Sequence, residues 1–211
     1  MTFPAFFDDA PILRMREPLA AFLGAAEDGV IAYRYADAVR LAGHSCPAVA
    51  SAYLMVLNGL EALYDDQLPE RGGIKVFMRN ERDHATTGVL ASVATLLTGA
   101  APETGFQGIG PARRFARNDL LRFATGIEGT LALVRRDTGK GVVVDINTDH
   151  VPHDPAMSQL MPRAVSGEAT PEEQAEFGRL WQDRVRRMLV EHPNDPKLIH
   201  IYAWEGEDEL A

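Results

Sequence analysis

The chain has 211 residues, 46% of them apolar and 24% charged, with a formal net charge of −9. That composition fits one globular domain large enough to bury a core without disulfides, so a metal here would serve function before folding. The acidic balance argues against nucleic-acid binding by phosphate neutralisation and against docking on anionic lipid. A single cysteine, Cys46, excludes an intramolecular disulfide and suggests a reducing compartment. The N-terminal residues carry Asp8 and Asp9 and no basic region, unlike a secretory signal, and no apolar run is long enough to span a bilayer. The expected address is the cytoplasm.

In chain order, residues 11–26 read as a helix broken at Pro18, within an N-terminal helical extension over residues 1–29. The main domain is expected over 30–204, followed by an acidic tail at 205–211. Tyr35 to Ala42 reads as a short helix that Gly43 terminates. Residues 47–64 carry the clearest helical signal, with Val49, Tyr53, Val56, Leu57 and Leu60 at three- to four-residue spacing. Pro47 suits the first position of that helix, where a missing N–H costs nothing.

Ile74 to Met78 reads as a strand, and residues 84–98 as a helix capped by Asp83 and closed at Gly99. A Gly- and Pro-rich loop follows over 100–111. Asp119–Phe123, Thr130–Arg136 and Gly141–Ile146 read as strands, the last two joined by a turn at Asp137-Thr138-Gly139-Lys140. After a polar loop over 147–155 comes a short helix over 156–164. Thr170-Pro171-Glu172-Glu173 then starts a helix that runs to about His192. Lys197 to Trp204 reads as the last strand. Interleaved helices with short strands and a hairpin predict an α+β fold with an antiparallel or mixed sheet.

The run Gly43-His44-Ser45-Cys46-Pro47 is the chemical focus. A thiolate at a helix N-terminus is stabilised by unpaired N–H groups and the positive end of the dipole. Cys46 and His44, two residues apart in a turn, could share one ion. Zinc would bind the sulfur at about 2.3 Å and the imidazole at about 2.0–2.1 Å. The same pair could instead form a metal-free nucleophile, and a lone cysteine also serves as a small packing residue. Candidates for a third ligand are Asp83, His84, His150, His153 and His200, with His84 preferred. His150 and His153 lie in a Pro-rich acidic loop that suits surface residues, and His192 suits the negative end of a helix dipole. Arg113, Arg114 and Arg117 follow the Gly-rich loop and form a candidate anion site, for a pterin-like or other small anionic ligand. The glycine spacing matches neither a P-loop nor a dinucleotide fingerprint, so no nucleotide cofactor is implied.

The Gly43-His44-Ser45-Cys46-Pro47 run with the helix Ala48-Val49-Ala50-Ser51-Ala52-Tyr53 resembles the signature of the FmdE-like family of formylmethanofuran dehydrogenase proteins, Gly-His-x-Cys-Pro and a small-residue helix. The downstream order is similar: a strand ending at Glu81, a helix ending Leu97-Thr98-Gly99, the Gly-rich loop, the hairpin at Thr138-Gly139-Lys140, and Ser166 to Glu173. The resemblance spans about residues 30–190. It implies an α+β domain, commonly a homodimer, with a metal or reactive site on His44 and Cys46. It also implies association with a molybdenum or tungsten enzyme, as a non-catalytic accessory protein or in another role. The chain departs from the family pattern at Ala48, where glycine is usual. It departs again near Val89 and Ser92, where the family carries a Cys and an Asp. It also lacks the family's four-cysteine zinc ribbon. His84, one turn earlier, is the expected replacement ligand. The function expected is therefore binding of a transition metal, zinc first, by a protein whose reaction the sequence does not name.

Overall fold

The computed structural model describes residues 2–204; the acidic tail at 205–211 lies outside them. A 3-10 turn at Ala5–Phe7 leads to β1 (Leu13–Arg16), α1 (Pro18–Phe22), β2 (Val30–Tyr33), α2 (Tyr35–Ala42), α3 (Pro47–Tyr64), β3 (Ile74–Met78) and α4 (Thr87–Thr98). Then come β4 (Leu121–Arg122), β5 (Leu131–Arg135), β6 (Gly141–Ile146), a 3-10 turn at Thr148–His150, α5 (Met157–Ser166), α6 (Pro171–Arg186), a π turn at Arg187–Glu191 and β7 (Ile199–Trp204). The α+β expectation holds: five strands form one sheet in the order β4-β3-β5-β6-β7, antiparallel except for the β3–β4 pair.

The organising element is α3. It is apolar almost all round, and Val49, Ala50, Tyr53, Leu54, Met55, Val56 and Leu60 are buried. A helix of that kind needs partners on every side. The sheet covers one side, α2 and α4 pack on another, and the π turn with α6 covers a third. Gly59 sets the approach to the sheet, since a Cβ there would meet Leu133 Cδ1 at 2.8 Å and Val144 Cγ2 at 3.0 Å. The opposite face of the sheet carries a smaller apolar cluster of Phe77, Ile127, Ala132, Val134 and Val143, flanked by Trp204.

The predicted helix over residues 11–26 is a correction, and the N-terminal extension is not wholly helical. Leu13 and Met15 are buried while Arg14 and Arg16 are exposed, the period-two pattern of a strand. That strand pairs antiparallel with β2, from Leu13 opposite Tyr33 to Arg16 opposite Val30. Pro18 then opens a separate short helix, for which the Glu17 side chain accepts from Leu19 N–H at 3.0 Å. The helix expected from residue 84 begins at Thr87, with Thr86 and not Asp83 at the cap position. Ala85 has φ +46°, a left-handed conformation that breaks helical propagation one turn early. The strand expected over 119–123 shrinks to Leu121–Arg122, because Asp119 and Ala124 both take positive φ. The capping box at Thr170 forms as expected: Thr170 Oγ1 accepts from Glu173 N–H at 3.2 Å, and Glu173 Oε2 accepts from Thr170 N–H at 2.8 Å.

Candidate functional site

The His44–Cys46 turn sits where α2 ends and α3 begins. Gly43 ends α2 in the left-handed conformation, its N–H donating to Val39 O at 2.8 Å. Cys46 then takes an extended conformation (φ −149°, ψ 167°) as the N-cap of α3, and its side chain makes no capping hydrogen bond. The half-buried thiol packs against the main core. It lies at the positive end of an 18-residue helix, the environment that favours a thiolate.

His44 is oriented by its own chain. Its Nδ1 is 3.0 Å from Ala42 O, and since a carbonyl only accepts, Nδ1 carries the proton. In the neutral ring the Nε2 lone pair is then left outward. Metal-binding imidazoles commonly have this arrangement, one nitrogen tied to a backbone carbonyl and the other presented.

Ser45, between the two, fastens the turn to α6. The Trp181 indole N–H and the Gln182 amide donate to Ser45 O at 3.2 and 3.0 Å. Ser45 Oγ donates to Gln182 Oε1 at 2.9 Å and lies 2.9 Å from the Tyr35 hydroxyl. Burial pushes the Tyr35 phenol above its ordinary pKa, so it stays protonated and serves as the donor to Ser45 Oγ.

His84 lies on the turn before α4 and lines a cavity of about 370 Å³ together with Pro47, Ala48 and Ser51 of α3 and with Asn80 and Thr130. His44 lines a different depression, formed with Leu41, Gly88, Val89 and Ser92. Both histidines therefore flank the junction of the α3 and α4 N-termini, from opposite sides. Their nitrogens and the Cys46 sulfur do not form a compact triad: among the described residues, the one group of three such atoms within 4.8 Å of one another is His150, His192 and Asp195. Reading each histidine in its own segment missed that group, because its members approach only in the folded chain. Asp83 lies on the same exposed turn as His84. His153 packs beside Trp181 and against Arg184 Nη1, where burial and the neighbouring Arg184 and Arg187 hold its pKa below the ordinary value. His200 is on β7, opposite Asp145.

The expected anion site is not assembled. Arg117 is buried and pairs with Glu17 Oε1 at 2.6 Å, while Arg71 takes Glu17 Oε2 at 2.9 Å. Burial pulls the Arg117 guanidinium below its ordinary pKa, and Glu17 opposes that pull. Arg113 donates to Gln107 O and Asn118 Oδ1 at 3.1 and 2.9 Å, organising its own loop. Arg114 lies over the rings of Phe22 and Phe115, at 5.3 and 4.7 Å from their centroids. The cluster ties the Gly-rich loop to the N-terminal segment, and its three guanidinium groups do not converge.

A family profile described as "FmdE, Molybdenum formylmethanofuran dehydrogenase operon" matches residues 41–195, well over half of the chain. The chain belongs to the FmdE family. The match begins just before the Gly43–Pro47 run and ends at Asp195. Among solved structures, the chain is similar to an FmdE-like protein of tungsten formylmethanofuran dehydrogenase from Syntrophus aciditrophicus, at 14% identity over 85% of this chain and 77% of that one, with a TM-score of 0.39. No curated protein matches. The departures from the FmdE pattern now have a location. Val89 and Ser92 both line the depression that holds His44, and the Ser92 hydroxyl is turned back onto Gly88 O at 2.8 Å. The two places where the family carries a Cys and an Asp thus face His44 with a methyl-bearing side chain and an already engaged hydroxyl.

Proposed function

We propose that this FmdE-family protein binds a transition-metal ion, zinc first, at the α3 N-terminus through Cys46 and His44. The observation that carries the reading is the pair itself: His44 with Nδ1 committed to Ala42 O and Cys46 with no capping hydrogen bond at a helix N-terminus. A thiolate and an imidazole together suit Zn²⁺, with Fe and Ni as the other ions of matching softness. His84 completes the protein ligands by closing across the mouth of α3 when the ion binds, since it already lines the cavity beside Pro47 and Ala48. Bound there, the ion would offer a Lewis-acidic position to water or a small ligand. The chain's own part is to hold the thiolate at the dipole, fix the imidazole tautomer through Ala42 and clamp the turn through Ser45. Cytoplasmic placement and a homodimer complete the reading; Ile201 and Tyr202 are exposed on β7, an edge strand suited to a second copy of the chain. Among the described residues no helix is long and apolar enough to cross a membrane.

The test is metal content of the purified full-length protein by elemental analysis. Near-stoichiometric zinc that is lost in Cys46→Ala and His44→Ala, weakened in His84→Ala and kept in His153→Ala supports the reading. A metal-free protein whose Cys46 is rapidly alkylated at neutral pH favours a thiolate enzyme, with His44 as its partner.

A second reading follows from Val89 and Ser92. With those two family ligand places empty of donors, the turn serves as a docking element, and the protein is a non-catalytic accessory to a molybdenum or tungsten enzyme. Stable co-purification of such an enzyme, unaffected by Cys46→Ala, would favour it.

A further inference from the structure

Two histidines and an aspartate far apart in sequence meet at one point. His150 closes the 3-10 turn after β6, His192 follows the π turn after α6, and Asp195 lies in the turn that enters β7. His150 Nε2 and His192 Nδ1 lie 3.0 and 2.8 Å from the same atom, Asp195 Oδ2. The two rings stand at 76° with centroids 5.2 Å apart, so both nitrogens aim at the oxygen from different directions.

The carboxylate is held from behind. Asp195 Oδ1 accepts from Lys197 N–H at 2.9 Å, and Asp195 O accepts from Leu198 and Ile199 N–H at 2.9 and 2.8 Å. His192 N–H donates to Arg187 O at 3.0 Å and thereby closes the π turn, a local irregularity that often marks functional positions in helices. The buried Asn58 of α3 donates to Pro193 O at 2.8 Å and ties the 192–195 turn to the core. These bonds fix the geometry before any ligand arrives. The His150, His192 and Asp195 side chains keep 27%, 31% and 23% of their exposure, so the cluster opens to solvent.

We infer that His150, His192 and Asp195 form a solvent-accessible binding site for a divalent first-row transition-metal ion, ligated by His150 Nε2, His192 Nδ1 and Asp195 Oδ2. Two imidazoles and one carboxylate form a borderline donor set that prefers Zn²⁺, Co²⁺, Ni²⁺ or Fe²⁺ over the hard ions Ca²⁺ and Mg²⁺. Metal–nitrogen and metal–oxygen bonds of about 2.0–2.2 Å place neighbouring ligands roughly 3 Å apart, close to the spacings already present. Three protein ligands on one side leave the remaining positions to water. The site shares no residue with the His44–Cys46 turn and contains no sulfur, so it does not depend on the function proposed above.

The probe is Co²⁺ alone, titrated into full-length Cys46→Ser protein and followed by visible d–d absorption and equilibrium dialysis. The Cys46→Ser background removes the thiolate site, so failure of one site does not mask the other. Co²⁺ is expected to bind this protein with a spectrum free of sulfur charge transfer. Affinity should fall by about tenfold or more in His192→Ala and Asp195→Asn, at least the loss seen when supporting residues around metals are changed. His150→Gln keeps a hydrogen-bonding partner for Asp195 and removes the imidazole; it should lose Co²⁺ to the same extent while keeping its circular dichroism and Tm. His84→Ala should leave this uptake unchanged. No Co²⁺ uptake by the Cys46→Ser protein, or uptake unaltered in His150→Gln and His192→Ala, would overturn the inference.

Discussion

The Trp181 indole N–H donates to the backbone carbonyl of Ser45 across 136 positions of sequence, at 3.2 Å. The Gln182 amide reaches the same oxygen at 3.0 Å. Helix α6 therefore supports the turn on which His44 and Cys46 stand. Removing one of these donors should cost about 1 kcal/mol of stability, the net worth of a typical hydrogen bond. The expected consequence for Trp181→Phe and Gln182→Ala is a modest fall in the urea midpoint and a larger loss of zinc affinity, because the turn loses its fixed geometry. Urea melts paired with a chelator competition separate the two effects; unchanged zinc affinity in both variants would remove α6 from the account of the site.

Glu17 sits buried between Arg71 and Arg117. Arg71 also donates to Leu96 O at 3.1 Å near the C-terminus of α4, so the carboxylate links the N-terminal segment to α4 and to the Gly-rich loop. Glu17→Ala leaves two guanidinium groups facing each other without their counter-charge. A loss of about 3–5 kcal/mol is expected, as for other broken buried pairs, read as the shift in a guanidinium chloride transition. A shift below about 1 kcal/mol would show that water replaces the carboxylate at little cost.

Gly72 has φ +82°, and a Cβ there would lie 1.0 Å from Arg117 Nη1. Gly72→Ala thus combines a left-handed alanine, roughly 1–2 kcal/mol by itself, with displacement of Arg117 from Glu17. The variant should be destabilised by more than Gly139→Ala, where φ is +73° and nothing lies within 4 Å of the added atom. Equal Tm losses in the two variants would show that only backbone strain matters.

Asp195 is held at a pKa of about 2, below its ordinary 3.8, first by the Lys197 N–H and then by His192 and His150. A carboxyl depressed in the folded state contributes stability that is present in full above its ordinary value and lost as pH falls through the folded one. The Asp195 contribution should therefore disappear between about pH 4 and pH 2. Asp195→Asn should show a flatter Tm-against-pH curve across that window than the parent protein. Parallel curves would mean that the His150–Asp195–His192 contacts do not persist in solution.

Local signals located much of the fold. The bounds of α3 follow from Pro47 and a run of apolar spacing, the β5–β6 hairpin from Asp137–Lys140, and the start of α6 from Thr170 and Glu173. Each of these is a choice made by neighbours within about four residues, where backbone and side-chain preferences act directly. The misread segments are those where distant partners prevail. Leu13 and Met15 form a strand because β2 lies alongside, and α4 starts late because Ala85 turns left-handed between the two cavities. The His44–Cys46 pair was legible because two residues and a helix start sufficed to specify it. The engagement of the arginines was not, since Arg117 meets Glu17 only when residues 100 positions apart are brought together.

The sequence by itself determined the α+β class, the principal helices, the thiol–imidazole turn and the family to which the turn belongs, because each is encoded in a short stretch of chain. Tertiary structure alone decided that Ser45 would be clamped by α6, that Val89 and Ser92 would face His44, and that His150, His192 and Asp195 would share one oxygen. Those juxtapositions depend on how elements pack around α3, and packing joins residues whose spacing along the chain carries no trace of their meeting.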